Sequence, residues 1–180
     1  NKFGRVYVNG YDLSGHTRSI GELSCTFAEG MDDPMSAAIK GAWLGQATIS
    51  AGAMNAIFDN TATTGLHALM GATAGTSRNV LFVQGIQAAP ANNDPAFCGQ
   101  FNQMNYQIGV SQDPMTATIQ FGQANTAVLV SYAQPFGVLL HALGAETAAN
   151  TATGLDQGGQ TTKGGYMMYQ VTAAAGTGDI

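Results

Sequence analysis

Apolar and polar side chains alternate over much of the first thirty residues, which is the pattern of half-buried β-strands. Residues 3–9 (FGRVYVN) are rich in β-forming residues, and Asn9-Gly10 supplies a tight turn directly after them. Residues 17–29 (TRSIGELSCTFAE) also alternate, with a slip near Gly21 that we interpret as a β-bulge. The apolar side chains expected on the inward face of this second strand are Ile20, Leu23, Cys25 and Phe27.

The next segment carries a helix signal. Asp33-Pro34 is typical of a helix start, because Asp caps free amides and Pro at the first helical position loses no hydrogen bond. We therefore predict a helix from about Pro34 to Trp43, with Trp43 closing the core at its end. Its apolar positions keep the helical spacing: Met35, Ala38, Ile39 and Ala42.

A strand and a second, shorter helix are predicted after it. Residues 45–59 (GQATISAGAMNAIFD) indicate the strand. The segment TTGLHALMG (63–71) predicts the helix, capped by Thr63 or Thr64 and stopped by Gly71. Its inward side chains are expected to be Leu66, Leu69 and Met70.

The remainder of the chain is predicted to be entirely β. Its runs show period-two character or a short β-branched stretch, and Gly, Pro, Asn and Asp separate them. These runs are 78–87, 97–110, 114–124, 126–133 and 165–174. Their spacing favours a mainly β fold, an antiparallel β-sandwich or barrel with one or two short helices.

One region divides the chain. Residues 144–164 contain almost no bulky side chains and cannot bury a core, which predicts a flexible loop or linker rich in Gly, Thr and Ala. Residues 1–143 then form one β domain. Residues 165–180 are expected to be a terminal strand or the start of a further β domain, with a loose tail as the alternative.

The composition points to a surface with very little charge. Hydrophobic residues make up 45% of the chain, enough for a real core, whereas charged residues make up only 9% against about 25% in typical soluble proteins. A free monomer relies on scattered charge for solubility, so this surface is expected to meet neighbouring subunits. The alternative is a small soluble domain with a neutral polar surface.

The net charge argues against a protein that binds nucleic acid through its phosphates. The formal net charge is −5 and the pI is about 4.8, whereas binding by counterion release needs clustered Lys and Arg. The six basic residues are widely spread: Lys2, Arg5, Arg18, Lys40, Arg78 and Lys163. An acidic wall past which DNA slides without sticking agrees with this balance. The sequence shows neither a signal peptide nor an apolar run long enough to span a membrane.

No catalytic pattern stands out. Neither Ser14 nor Ser50 lies in the G-x-S-x-G of a nucleophile elbow. Asp32 and Asp33 are adjacent carboxylates, but a glycosidase pair must face across a cleft, and Asp33 has a structural role as helix cap. Lys163 in GGQTTKGG lacks the spacing and the following helix of a phosphate-binding loop.

Metal and cofactor binding are not expected either. His16, His67 and His141 are far apart in sequence and have no nearby His or Cys partner, so packed or hydrogen-bonded histidines are the simpler interpretation. Cys25 and Cys98 are expected to be free, buried thiols, with a bridge between them as the alternative. The aromatic residues expected to pack in the core are Phe101, Tyr106, Phe121, Tyr132, Phe136, Tyr166 and Tyr169.

Two stretches resemble a known family. The string YVNGYDLSG (Tyr7 to Gly15) and the later Phe58 to Leu69 are similar to segments of virion structural proteins of long-tailed bacteriophages, in particular tail-tube or major tail proteins. Within the motif, Gly10 and Gly15 are expected to permit turns and Asp12 to cap one. The resemblance covers about the first third of the chain.

The resemblance implies a non-enzymatic protein that forms hexameric rings around a DNA-conducting lumen, together with other virion proteins. Residues 97–133 would supply the inner sheet, and Glu22, Asp94 or Asp113 would make the lumen negative. Tail tubes use extended loops to stack rings, and the comparable stretches here are short, 28–34 and 87–96.

Three other functions remain open from the sequence. A capsid decoration or cement protein, binding the head lattice as a trimer, would suit the same neutral surface. A receptor- or glycan-binding module at the virion surface predicts exposed aromatics and carboxylates clustered in one loop. An enzyme would require a site assembled only by the fold.

Overall fold

The computed structural model describes residues 3–32, 41–71, 75–86, 89–110, 113–124, 136–144 and 167–172. These residues form ten β-strands and one short α-helix. The strands are β1 (Gly4–Val8), β2 (Tyr11–Asp12), β3 (Thr17–Ile20), β4 (Leu23–Asp32), β5 (Gly41–Ala51), β6 (Met54–Ile57), β7 (Ser77–Gln84), β8 (Pro95–Gly109), β9 (Thr116–Ala124) and β10 (Phe136–Val138), and the helix is α1 (Leu66–Met70).

Eight of these strands form one antiparallel sheet, which we call the main sheet. Its order is β2-β1-β7-β8-β9-β6-β3, and β10 pairs with the beginning of β8. The remaining two strands, β4 and β5, form a separate two-stranded sheet. The prediction of a mainly β, antiparallel fold with a short helix is therefore confirmed, and the main sheet is open and not closed into a barrel.

The core lies on one face of the main sheet, under α1 and the inner part of the β4–β5 pair. Alternate side chains of β8 and β9 enter it, and Leu66 and Met70 close it from the helix. The largest fully buried side chains are Phe101, Leu13, Met54, Leu66, Met70, Ile119, Gln103 and Val80. A smaller cluster on the opposite face joins Tyr7, Val83 and Ala96 to Leu139.

Gln103 is the one polar side chain among the fully buried ones just named. Its Nε2 donates to the carbonyl of Met70 at 2.7 Å, and its Oε1 accepts from Arg78 Nε at 3.1 Å. Arg78 also donates to the carbonyl of Leu69 at 3.0 Å. The two side chains thus satisfy carbonyls at the C-terminal end of α1, which have no partner within the helix. Burial of the guanidinium lowers the pKa of Arg78.

The second predicted helix is confirmed over Leu66–Met70, but its predicted cap is wrong. The N-cap residue is Gly65, and no side chain caps it. Thr63 lies at φ +66°, and its hydroxyl donates to the carbonyl of Ala62 at 2.6 Å. Gly71 ends the helix as predicted, with its N–H donating to the carbonyl of His67.

The first predicted helix is wrong where the structure describes it. Gly41–Trp43 begin β5 and pair with β4, and residues 34–40 lie outside the described residues. Cross-strand pairing has overridden the local helical spacing. Trp43 is 59% exposed and does not close the core. The inward placement of Phe27 is also wrong, because this side chain is 47% exposed.

The predicted strands of the middle region are confirmed as β7, β8 and β9. The bulge predicted near Gly21 is wrong, because the pairing register is the same on both sides of this glycine; the register shifts lie between Thr17 and Ser19 and between Phe27 and Glu29. The predicted strand 126–133 and residues 145–164 of the predicted linker lie outside the described residues. Residues 167–172 do not form the predicted strand. The side chain of Gln170 instead accepts from Gly10 N at 2.5 Å and donates to the carbonyl of Asn79 at 3.2 Å.

Candidate functional site

A long β-ribbon leaves the main sheet and reaches outward. Its base is β3 paired with β6, and its outer part is β4 paired with β5. Between the two parts, Gly21 N donates to the carbonyl of Ala53 and Gly52 N to that of Glu22, both at 2.8 Å. The hydrogen-bond ladder is therefore continuous, and the same two chain segments pass from one sheet into the other.

Two facing glycines allow this change of sheet. A Cβ added at Gly52 would lie 2.7 Å from Glu22 N, and one added at Gly21 would lie 3.0 Å from Ala53 N. Both contacts are with backbone, which cannot swing aside as a side chain can. The close approach of the two strands therefore requires residues without a side chain at this point.

The inner part of the β4–β5 pair is anchored. Ile49 and Ala51 are buried in the core, and Leu23 and Cys25 pack against it from the facing strand. On the opposite face of the ribbon, the hydroxyls of Ser24 and Ser50 hydrogen-bond to each other at 2.8 Å. This anchoring gives the ribbon a fixed root on the main sheet.

The outer part, residues 26–32 and 41–48, extends beyond that anchor, and we call it the arm. Seven residues of extended strand span about 23 Å at roughly 3.3 Å per residue. Phe27 is 47%, Trp43 59% and Leu44 76% exposed. The indole of Trp43 lies across Gly30 of the facing strand, where a Cβ would overlap the ring. The arm thus presents large apolar side chains to solvent.

An uncovered two-stranded ribbon is at best marginally stable in water. The arm gains rigidity from its anchored root, but nothing among the described residues covers Leu44 or Trp43. Exposed apolar side chains on a projecting ribbon are a pattern of protein contact sites. The arm is therefore the strongest candidate for a functional surface in the described part of the chain.

Three neighbouring strands of the main sheet carry no charge. β6, β8 and β9 contain no Asp, Glu, Lys or Arg. Their outward side chains form a neutral hydrogen-bonded row, in which Asn55 donates to Ser19 at 3.2 Å and Thr118 donates to Asn55 at 3.0 Å. These three uncharged strands account for part of the low content of charged residues in the chain.

The residues screened for catalysis take structural positions. Ser14 Oγ accepts from Val6 N at 2.9 Å, and Asp12 Oδ1 accepts from Ser14 N at 2.9 Å, so Asp12 caps a turn as predicted. Gly10 adopts φ +83° in the predicted turn after Asn9. Asp32 ends β4, and both Asp33 and Lys163 lie outside the described residues.

His16 and His67 both lie beside Asp59, because His67 N donates to the Asp59 carbonyl at 2.9 Å. His16 Nε2 lies 3.6 Å from Asp59 Oδ2, and Thr61 hydrogen bonds lower the pKa of Asp59. His67 Nδ1 lies 3.1 Å from the hydroxyl of Tyr106, whose pKa is raised by burial. His141 is exposed. Within the described ranges, no group of three His, Cys, Asp or Glu side chains could hold a metal ion.

Both cysteines are free and half-buried, in agreement with the prediction of free thiols. Cys25 pairs across the ribbon with Ile49, whereas Cys98 lies in β8 opposite Leu81. Burial raises the pKa of the Cys98 thiol. The Cys98 thiol is therefore not activated as a nucleophile.

The three acids considered for a lumen lie apart. Glu22 is exposed at the change of sheet, and Asp113 is exposed before β9. Asp94 accepts from Ala91 N at 2.8 Å and so fixes a turn. Two short stretches were compared with ring-stacking loops. In the first, 28–34, residues 28–32 are part of β4 and residues 33 and 34 lie outside the described residues. In the second, 87–96, residues 87 and 88 lie outside the described residues and residues 95–96 begin β8.

The sequence interpretation missed the arm. The only local signal for the β5 side of the arm is the alternation of polar and apolar residues from Ile49 and Thr48 back toward Trp43. This signal is obscured because the small and apolar residues before Trp43 have a helix-like spacing. Comparison with protein-family models and with curated proteins gave no match. No helix in the described residues is long and apolar enough to cross a bilayer.

Proposed function

We propose that this chain is a non-enzymatic structural subunit of a bacteriophage virion, and that it is a tail-tube subunit that self-assembles into hexameric rings around a DNA-conducting lumen. The arm is the observation that carries the proposal. Its exposed apolar side chains need a protein partner, and the neutral composition makes other copies of the same chain suitable partners. The resemblance of Tyr7 to Gly15 to tail-tube proteins supports the same role.

The energetics favour assembly through several contacts at once. Aromatic side chains bury about 150–250 Å² each. Trp43 and Leu44 are consecutive in β5 and point to opposite faces, so covering both faces of the arm, with Phe27, would remove on the order of 350 Å² of apolar surface from water. At about 25 cal/mol per Å² this gives roughly 9 kcal/mol before costs. Association costs an estimated 4–15 kcal/mol. A single arm contact is thus close to break-even, whereas a closed ring adds further contacts for each subunit.

The open main sheet supports ring formation. Beyond Gln103, β8 has no strand partner on the side opposite β9 among the described residues. Unpaired strand edges favour pairing with another chain, and closure of a sheet removes them. Neighbouring subunits in a ring would supply the missing partners.

A capsid decoration protein is the alternative, because the neutral row of Ser19, Asn55 and Thr118 would equally suit a flat contact with a head lattice. The two roles differ in what the isolated protein forms. A tail-tube subunit polymerises by itself, whereas a decoration trimer stays small until capsids are added.

Electron microscopy of the purified protein over a wide concentration range tests the proposal. We expect stacked sixfold rings or tubes, and we expect the double variant Trp43→Ser/Leu44→Ser to lose them. Ile86→Ser is the matched control, because Ile86 is 74% exposed and lies outside the arm. Trimers that bind only capsids would establish the alternative, and a monomer at every concentration would overturn assembly altogether.

A further inference from the structure

The turn of the first hairpin is formed by a dipeptide that can react with itself. Asn9 and Gly10 connect β1 to β2, the pair Val8 and Tyr11 closes the turn, and the two turn residues have φ +48° and +83°. Two positive φ angles are typical of a type I′ turn, for which Asn-Gly is a preferred sequence. Asn9 is exposed, and it is the only Asn in the sequence that Gly follows.

An asparagine side chain loses ammonia most readily when glycine follows it, because no side chain on the glycine obstructs the attack of its backbone N on Cγ of the asparagine. The attacking amide gives its proton to solvent, and the new N–Cγ bond closes a succinimide ring. The Cγ–Nδ2 bond breaks, and Nδ2 leaves with a proton from water as ammonia. Water then opens the ring at one of its two carbonyls and gives aspartate or isoaspartate, without an oxidant or a reductant.

The Asn9 half of this pair of reacting groups is held against β7. Asn9 Oδ1 accepts from Asn79 N at 2.8 Å, and Asn9 N donates to the carbonyl of Asn79 at 2.9 Å. Ring closure requires rotation of the Asn9 backbone and side chain, so that Cγ comes within bonding distance of the next amide. The two hydrogen bonds to Asn79 oppose that rotation.

The Gly10 half is held by a distant segment, residues 167–172, which we call the strap. Gln170 Oε1 accepts from Gly10 N at 2.5 Å, and Gln170 Nε2 donates to the carbonyl of Asn79 at 3.2 Å. The strap backbone also covers the glycine, since a Cβ at Gly10 would lie 2.5 Å from the carbonyl oxygen of Val171. The attacking nitrogen therefore has its proton engaged and its surface shielded.

We propose that Asn9 is a site of spontaneous deamidation and that the strap controls its rate. While Gln170 accepts from Gly10 N, this amide is free neither to lose its proton nor to approach Cγ of Asn9, and the reaction is slow. When the strap leaves, the exposed Asn-Gly turn reacts with water as its only co-reactant. The inference needs only the isolated chain and is independent of the proposed assembly.

The modification has an irreversible structural consequence. It adds one negative charge to a formal net charge of −5, and the isoaspartate product also lengthens the backbone of the turn by one methylene. The pairing of Val8 with Tyr11, which closes a two-residue turn, then loses its register. The surface on which Gln170 docks is lost with it, so the modified turn marks copies from which the strap has been absent.

Mass spectrometry of one tryptic peptide measures the reaction. Cleavage after Arg5 and Arg18 releases residues 6–18, in which Asn9 is the only side chain with an amide. The mass gain of deamidation in this peptide therefore reports Asn9 alone, and chromatography separates its aspartate and isoaspartate forms. Full-length protein would be incubated at mildly alkaline pH, and a synthetic peptide of residues 6–18 would give the rate without fold or strap.

We expect wild type to react far more slowly than the peptide. Gln170→Ala should react about 2- to 12-fold faster than wild type, the factor that corresponds to the net strength of one hydrogen bond. Gln170→Met should behave in the same way, because it fills similar space with a thioether, a much weaker acceptor. Tyr169→Ala is the matched control, since Tyr169 is the neighbouring strap residue and is 77% exposed, and it should keep the wild-type rate.

Circular dichroism of each variant separates release of the strap from unfolding, because an unfolded chain would react at the rate of the peptide. A wild-type rate in folded Gln170→Ala, or in folded Gln170→Met if the Ala variant unfolds, would overturn control by the strap. Equal acceleration by Tyr169→Ala would exclude a specific role for Gln170. Wild type reacting as fast as the peptide would show that the fold gives no protection. None of these outcomes depends on tube formation, so the proposed function stands or falls separately.

Discussion

Replacing Gly52 by Ala tests whether the ribbon depends on close approach of its strands. The added methyl would lie 2.7 Å from Glu22 N, whereas an ordinary contact is about 3.5 Å. The strands must therefore separate by about 0.8 Å. That shift would stretch the ladder bonds at this point, now 2.8 Å long, to about 3.6 Å, beyond the range of a hydrogen bond.

The expected cost follows from those bonds. Loss of two backbone hydrogen bonds costs about 1–3 kcal/mol, and the reduced freedom of the unfolded chain with Ala offsets about 0.4–1 kcal/mol. The midpoints of these two ranges leave a net loss of about 1.3 kcal/mol, which corresponds to a fall in Tm of roughly 3–5 °C for a chain of this size. We also expect the arm to be misdirected and assembly to weaken.

Thermal unfolding by circular dichroism measures the first effect, and electron microscopy the second. Gly15→Ala is the matched control, because a Cβ there meets nothing within 4 Å and its backbone needs no positive φ. If Gly52→Ala had the same Tm as Gly15→Ala, the argument that the two strands approach closely at Gly52 would be refuted. A lowered Tm with unchanged tubes would show that the root stabilises the fold without directing the arm.

Three further results are expected. Gln103→Leu leaves Arg78 Nε and the Met70 carbonyl without their partner and should lower the free energy of unfolding by about 2–5 kcal/mol, measured by urea denaturation. Asp59→Asn should reduce the loss of stability on acidification. The pKa of Asp59 is lowered in the folded state, so the ionised carboxylate stabilises the fold above the unfolded-state pKa, and this contribution disappears as the pH falls through the folded-state pKa. The difference in Tm between pH 7 and pH 3 should therefore be smaller for Asp59→Asn than for wild type. Gln170→Ala removes the acceptor of Gly10 N, so hydrogen exchange at the Gly10 amide should become faster while that at Val83, near the other end of β7, stays unchanged.

The strands and the short helix were predictable because they are encoded locally. Alternation in residues 3–9 and 97–124, with turn residues between the runs, corresponds to β1, β8 and β9. Leu66 and Met70, four positions apart and followed by Gly71, corresponded to α1. In these segments the local conformational preference agrees with the position of the segment in the fold, and this agreement is what allows secondary structure to be predicted from a single sequence.

The arm was not predictable for a physical reason. The alternation through Leu23, Cys25 and Phe27 indicates a common face, but it cannot say where the covering sheet stops. Coverage ends because the ribbon changes sheet at Gly21 and Gly52, and that geometry depends on pairing between segments thirty residues apart. Gln103 at a core position broke the expected pattern because its partners come from α1 and β7.

The absence of charge from β6, β8 and β9 bears on why such a surface persists. Exposed sheets usually avoid unwanted pairing through charged side chains, especially Lys, on or near their edges. These strands carry none, and β8 has an unpaired side beyond Gln103 among the described residues. A chain that lived as a monomer would be prone to aggregate through this region. A chain whose neutral strand edge and arm are covered by neighbouring subunits does not need charged side chains to prevent aggregation, because specific contacts already cover these surfaces. The same features that make the isolated subunit vulnerable are those that the proposed self-assembly would cover.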